Sequence, residues 1–214
     1  MWVKICGIQT VETAVCCAEA GADAVGFVFA ESRRKISVEK AAEIIRILPP
    51  GIDKVGVFVN NSYSDVAAID DYLDLDLLQF HGDESPQYCR IFPGRTLKSF
   101  RLTNSADLKE VKRYRGSVKA CLLDSFEVGQ LGGTGKAWNW SMLSRRASQE
   151  KYLSGLNLVV AGGLTAENVK VALNHLSPYG VDVSSGVEVN GQKDCGFIRD
   201  FINTVRSWEN EQSA

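Results

Sequence analysis

The chain has 214 residues, 45% hydrophobic and 23% charged, with a formal net charge of −2. That balance suits a soluble globular protein with a sizeable core, and the absence of a basic stripe argues against nucleic acid as a partner. No stretch of about 18 apolar residues is present to cross a membrane, and no charged-then-apolar leader opens the chain, so a cytoplasmic protein is expected. The cysteines at 6, 16, 17, 89, 121 and 195 contain no C-x-x-C pair and match no zinc spacing, so all six thiols are expected reduced and no metal is expected.

In chain order, short apolar runs alternate with longer amphipathic ones. "WVKIC" (2–6) precedes the helix-like "TVETAVCCAEAG" (10–21), with Thr10 as N-cap and Gly21 as C-cap. "AVGFVF" (24–29) precedes "SVEKAAEIIRIL" (37–48), opened by Ser37 and stopped at Pro49 and Pro50. Next come "KVGVFV" (54–59) with "SYSDVAAIDDYL" (62–73), then "LLQF" (77–80) with "DESPQYCRIF" (83–92). "TLKSF" (96–100) is followed by "NSADLKEVKRYR" (104–115), and "KACLLD" (119–124) by a less periodic helical stretch after "AWNW" (137–140). "LNLVVA" (156–161) with "TAENVKVALNHL" (165–176), and "VDVSS" (181–185) with "DCGFIRDFINTVRSWE" (194–209), complete the series. Runs of four to six Val, Ile, Leu and Phe have the look of parallel strands buried on both faces. Eight such units predict an α/β protein, a single (β/α)8 TIM barrel over 1–214, with 209–214 as a frayed tail. An open doubly wound sheet is the alternative, but no G-x-G-x-x-G follows the first strand.

In such a barrel the catalytic groups stand at the C-terminal ends of the strands. Nearly every unusual polar or glycine-rich feature of this chain falls there: Cys6-Gly7, "ESRRK" (31–35), Asn60, His81, Lys98, Asp124, "GGTGK" (132–136), "AGG" (161–163) and "DVSSG" (182–186). That clustering predicts an enzyme. The strand period of two puts Lys4 and Cys6 on the inner side of strand 1, Gln79 with His81 on one side of strand 4, and Asp182 with Ser184 on one side of strand 8. Strands 8 and 1 are neighbours in a closed barrel, so Lys4 and Asp182 are expected to pair inside it. Gly162 and Gly163 after strand 7, with Ser184, Ser185 and Gly186 after strand 8, occupy the two loops that commonly hold phosphate in this fold. "GGTG" reads as a lid over the mouth. From the residues alone, Cys6 is either one more small core side chain or a nucleophile or base at the rim. His81 is likewise either a structural histidine or part of the pocket. The other five cysteines read as packing residues.

"KICG" (4–7), "GADAVGFVF" (21–29), "SRRKIS" (32–37), "VGVFVN" (55–60), "QFHG" (79–82), "LLDS" (122–125), "GGTGK" (132–136), "AGGL" (161–164) and "DVSSGVE" (182–188) occur in this order. Together they resemble the phosphoribosylanthranilate isomerase family of tryptophan biosynthesis over residues 2–206. The resemblance implies an Amadori rearrangement of N-(5-phosphoribosyl)anthranilate, an aminoaldose, to 1-(2-carboxyphenylamino)-1-deoxyribulose 5-phosphate, with no cofactor. It implies Cys6 as general base, Asp124 as general acid, and Arg34 as the fork that grips the anthranilate carboxylate. It implies His81 and Asp182 as further substrate contacts, and Gly162, Gly163, Ser184, Ser185 and Gly186 as the phosphate site. The base must act as thiolate, so nearby cations such as Lys4 are expected to lower the Cys6 pKa. The partner expected is a small phosphosugar, with no nucleic acid or membrane, and the chain is expected to be a monomer. Where the family has Phe-Asp-Trp after "GGTGK", this chain has Trp138 and Asn139 within "AWNW". The histidine-pathway aminoaldose isomerase would want an aspartate in place of Cys6 and two similar halves. Indole-glycerol-phosphate synthase would want glutamates beside its lysine. A non-catalytic phosphate-binding barrel would not need both Cys6 and Asp124.

Overall fold

The structure, a computed structural model, describes residues 1–102, 107–125 and 153–213. Eight parallel strands close into a barrel in chain order: β1 (Trp2–Cys6), β2 (Ala24–Val28), β3 (Asp53–Phe58), β4 (Leu77–Phe80), β5 (Thr96–Leu102), β6 (Ala120–Ser125), β7 (Leu158–Ala161) and β8 (Gly180–Val183). β8 returns to β1, with Lys4 opposite Asp182 in the register. Helices α1 (Val11–Ala20), α2 (Val38–Ile45), α3 (Tyr63–Leu73), α4 (Pro86–Cys89), α5 (Leu108–Lys112), α6 (Val169–Leu176) and α7 (Cys195–Ser213) connect the strands or follow them. The helix start signals anticipated at Thr10 and Ser37 work as local chemistry predicts, and two further serines do the same. Thr10, Ser37, Ser62 and Ser85 each accept a hydrogen bond from the backbone N–H three residues on, and Gly21 ends α1 with φ 84°.

Alternation along the strands sorts two cores. Ala24, Val55, Leu77, Leu97, Ala120, Leu122, Val159 and Ala161 fill the barrel, with Trp2 packed against them. Gly180 leaves room for that ring's strand, since a Cβ there would lie 2.5 Å from the Trp2 carbonyl oxygen. The opposite phase, including Val3, Ile5, Phe27, Phe58, Phe80, Leu123 and Val181, packs outward against helical Ile198, Phe201 and Val205. The barrel interior is thus solid at its lower end, and only the C-terminal mouth is left for chemistry.

Five helices depart from their predicted spans. α2 stops at Ile45 and α5 at Lys112, where i→i+3 bonds take over, Ile47 N–H to the Ile44 carbonyl and Tyr114 N–H to that of Val111. α4 is one turn long because the chain tightens into i→i+3 bonds, Ile91 N–H to the Tyr88 carbonyl and Phe92 N–H to that of Cys89. α6 begins at Val169 because Asn168 first ties down the preceding turn, accepting from Thr165 N–H and donating to the Gly163 carbonyl. The tail expected to fray continues as helix to Ser213. Glu209 pairs there with the Met1 amino group and with Arg206, and Glu211 pairs with Lys170. The lid expected at 132–136 and the helical stretch after 137–140 lie outside the described residues. One expectation about cysteine is corrected. Closure packs α1 against α7 and brings the Cys16 and Cys195 sulfurs together as a disulfide, with their Cα atoms 5.9 Å apart, so not all six thiols are free. Cys17, Cys89 and Cys121 are buried packing side chains, their thiols pushed up by burial to about 12, 11 and 12.

No described helix is long and apolar enough to cross a membrane, and no group of three or more metal-ligating side chains is found among the described residues.

Candidate active site

The floor of the site is a buried ion pair. Lys4, fully buried in β1, donates from Nζ to Asp182 Oδ1 of β8 at 2.8 Å. The charge of the same ammonium acts on the thiol of Cys6, one strand period above it. Both side chains need the space that Gly26 of β2 leaves: a methyl there would come within 3.0 Å of Cys6 Sγ and of Lys4 Nζ. Burial opposes the Lys4 charge, yet Asp182 and Cys6 beside it raise its pKa above the ordinary lysine value. Cys6 itself is corrected against expectation. Burial pushes its thiol up, and the charges of Lys4 and Lys193 recover only part of that.

Gly7 follows with φ 85°, and the Arg34 side chain lies across it, so that a Cβ at Gly7 would fall 2.5 Å from Arg34 Cδ. The cysteine–glycine pair therefore serves two purposes, a thiol at the strand end and a smooth surface for an arginine. The Arg34 fork is not open, however. Its Nε and Nη2 donate to Glu188 at 2.6 and 2.9 Å, and Arg33 donates to the same carboxylate at 2.8 Å. Lys193 adds a third cation to Glu188 at 2.7 Å and also donates to the Ser184 carbonyl and hydroxyl. Burial alone would raise the Glu188 carboxyl, but hydrogen bonds and charge from Arg34 and Lys193 hold it down at about 2.

Glu188 and Lys193 were not singled out from the sequence. The signal for Lys193 was present: Asn190-Gly191 is a strong two-residue hairpin signature. It joins two short strands, β9 (Glu188–Val189) and β10 (Gln192–Lys193), with φ of 52° and 81° at the turn, and so folds Lys193 back beside Glu188.

On the far side of the mouth, Asp124 near the end of β6 faces His81 just beyond β4, with Oδ2 3.6 Å from His81 Nε2. His81 Nδ1 lies 3.3 Å from Gln79 Nε2, which also donates to Ser99 Oγ at 3.2 Å. The loop that carries His81 is anchored from below by buried Glu84, which accepts from the N–H groups of Asn60 and Gly82 and pairs with Lys98 at 3.3 Å. Lys98 thus lies on the outer phase of β5 under that loop, bonded to the carbonyls of Phe80, Gly82 and Ser99.

The β7 and β8 loops meet between these two sides. Gly162 and Gly163 both have positive φ, 87° and 63°. Ser185 opens a 3₁₀ turn (Ser185–Val187), and Gly186 lies so close to the β7 loop that a Cβ would fall 1.7 Å from the Leu164 carbonyl oxygen. The Ser184 hydroxyl is taken up by the Cys6 carbonyl at 3.0 Å and by Lys193.

Residues 3–204 match the family model described as N-(5'phosphoribosyl)anthranilate (PRA) isomerase. An N-(5'-phosphoribosyl)anthranilate isomerase of Pelobacter propionicus is 42% identical over 213 residues, covering 99% of this chain and 98% of its own. The solved phosphoribosyl anthranilate isomerase of Thermotoga maritima superposes with a TM-score of 0.86 at 38% identity, covering 97% of this chain and 99% of that one. Another solved isomerase, at 37% identity and a TM-score of 0.83 over 97% of this chain and 99% of its own, holds reduced 1-(o-carboxyphenylamino)-1-deoxyribulose 5-phosphate.

Proposed function

Because the chain belongs to the N-(5'-phosphoribosyl)anthranilate isomerase family, we propose that it converts N-(5-phosphoribosyl)anthranilate to 1-(2-carboxyphenylamino)-1-deoxyribulose 5-phosphate in tryptophan biosynthesis, with Cys6 as base and Asp124 as acid. The observation that supports this assignment of roles is the order of strands around the ring: β7 and β8 lie between β6, which bears Asp124, and β1, which bears Cys6. A phosphate held in the β7 and β8 loops leaves the sugar between an acid on one side and a base on the other.

Asp124 gives its proton to the furanose ring oxygen. The C1–O bond breaks and the anilino nitrogen pushes its lone pair into a protonated imine. Cys6, as thiolate, then takes the proton from C2, and those electrons neutralise the iminium to give an enolamine. Its enol proton leaves and C1 is protonated, which yields the ketone. A thiol raised by burial is a stronger base once ionised, and the Lys4 ammonium stabilises the thiolate it needs. The backbone of Gly162, Gly163, Ser185 and Gly186, with Ser184, receives the phosphate. Arg34 keeps Nη1 for the anthranilate carboxylate while Glu188 fixes its other edge. His81 meets the substrate beside Asp124, and Asp182 offers the oxygen that Lys4 does not take.

The test is a fluorescence assay for loss of phosphoribosylanthranilate. Wild type should turn over, and Cys6→Ser and Asp124→Asn should each lose about 100-fold or more in kcat. Full activity in either variant would overturn its role. We extend the proposal to a cytoplasmic monomer of one domain that has no nucleic-acid partner; light scattering on the purified protein checks its mass.

A further inference from the structure

Gln79 stands at an inner position of β4 with only 1% of its surface exposed, and its Oε1 is the one buried side-chain oxygen or nitrogen without a partner among the described residues. A buried group left unpaired in an otherwise satisfied interior needs a reason. The rest of the amide supplies it. Both hydrogens of Nε2 are committed, one to Ser99 Oγ at 3.2 Å and one toward His81 Nδ1 at 3.3 Å. Reversing the amide would leave an NH2 with two unmade donors where there is now one unmade acceptor, which is the costlier arrangement. An amide N–H aimed at Nδ1 requires a lone pair there. The proton of a neutral imidazole then sits on Nε2, the atom that faces Asp124 Oδ2 at 3.6 Å.

We infer that Gln79 is a positioning residue for the reaction: through Ser99 and its own amide it holds His81 as the Nε2–H tautomer, so that a neutral donor faces the acid Asp124. This rests on the reading of Asp124 as general acid. The value of a neutral donor follows from what the acid has to do. An imidazolium beside Asp124 would favour the carboxylate before substrate arrives, and an acid that has already lost its proton cannot open the ring. A neutral N–H meets the carboxylate only as it forms, when the Asp124 proton passes to the ring oxygen. The 3.6 Å separation is longer than a formed hydrogen bond, as is common for catalytic pairs before substrate binds. His81 gives up no proton in this scheme, so the step balances with Asp124 as sole donor.

The chain contains two histidines, and they should hold opposite tautomers. His175 Nδ1 lies 2.7 Å from the Val171 carbonyl, an acceptor only, so its Nδ1 must carry a proton. Two-bond 1H–15N correlation spectra of labelled protein without substrate, at about pH 8 where an ordinary imidazole is neutral, read both rings, and a His175→Gln variant assigns them. The expected result is His81 as Nε2–H and His175 as Nδ1–H. Gln79→Leu removes the donor without removing volume, and Gln79→Glu replaces it with an acceptor. Both should shift His81 away from the pure Nε2–H form and cut kcat by about ten- to hundred-fold, with KM changed by less than about two-fold because the substrate contacts stay. A merely structural role would leave His81 as Nε2–H in both variants, so the tautomer read from the spectra separates positioning from stability. An Nδ1–H tautomer for His81 in wild type, or unchanged kcat and tautomer in Gln79→Leu, would overturn the inference. The spectra need no turnover, so a wild type without isomerase activity would sink the proposed function alone, leaving the tautomer to be judged by the spectra.

Discussion

The Lys4–Asp182 pair is where one residue decides most. The period of two within strand 1 and the adjacency of strands 1 and 8 were enough to read it from the sequence, and the register sets the two residues opposite each other. What the sequence could not show was the fate of the Cys6 thiol. Proximity of a cation is visible in "KIC", but burial is a property of the closed barrel, and burial is the larger effect on Cys6. Lys4→Met should therefore act twice. Removing one partner of a buried pair leaves Asp182 uncompensated and should cost about 3–5 kcal/mol of stability, read as a lowered urea midpoint. It also removes the charge that favours the thiolate, so the rise of kcat/KM with pH should move to higher pH than in wild type. A variant with wild-type stability would show that the pair is not the floor of the site. Cys6 predicts the sign in wild type too. Its thiol pKa is raised, so with Cys6 as the proposed base, acting as thiolate, kcat/KM should climb as pH rises above neutral.

Elements bring the rest of the site together, and here the sequence was legible in part. The Gly162-Gly163 pair after strand 7 and Ser184-Ser185-Gly186 after strand 8 are visible as motifs, but the reason for Gly186 differs from what its motif suggests. Its lack of a side chain lets the β8 loop lie flush on the Leu164 carbonyl of the β7 loop. Gly186→Ala should force the two loops apart, at a cost of about 1–3 kcal/mol as for other overpacked sites. If those loops hold the phosphate, KM should rise more than kcat falls, which steady-state kinetics will show. Equal loss in both would point to a disturbed acid or base instead. The β9–β10 hairpin escaped notice because its strands are two residues each, too short for any hydrophobic period to register. The Asn190-Gly191 turn carries the information instead. Similarly, Glu188 was in view within "DVSSGVE", but its partners Arg33 and Arg34 lie 155 and 154 residues away in sequence, and only closure brings them to it.

At the scale of the molecule, Glu188 is the point at which the β2 loop and the β9–β10 hairpin after β8 are tied, bridging the seam on either side of β1. Its contribution to stability depends on pH in a direction that can be worked out. The carboxyl is brought from an ordinary 4.5 to about 2 in the folded chain, mainly by Arg34 and Lys193 acting against burial. A depressed carboxyl stabilises fully above the unfolded value, so the whole contribution, roughly 3 kcal/mol for a shift of this size, is present at neutral pH. It declines as pH falls below about 4.5 and is gone once pH has passed through about 2. Glu188→Gln has no charge to lose. The gap in urea midpoint between wild type and Glu188→Gln should therefore be widest above pH 5, narrow steadily below about 4, and close near 2. A gap that stays constant across that range would mean that the three cations around Glu188 are held by packing rather than by its charge.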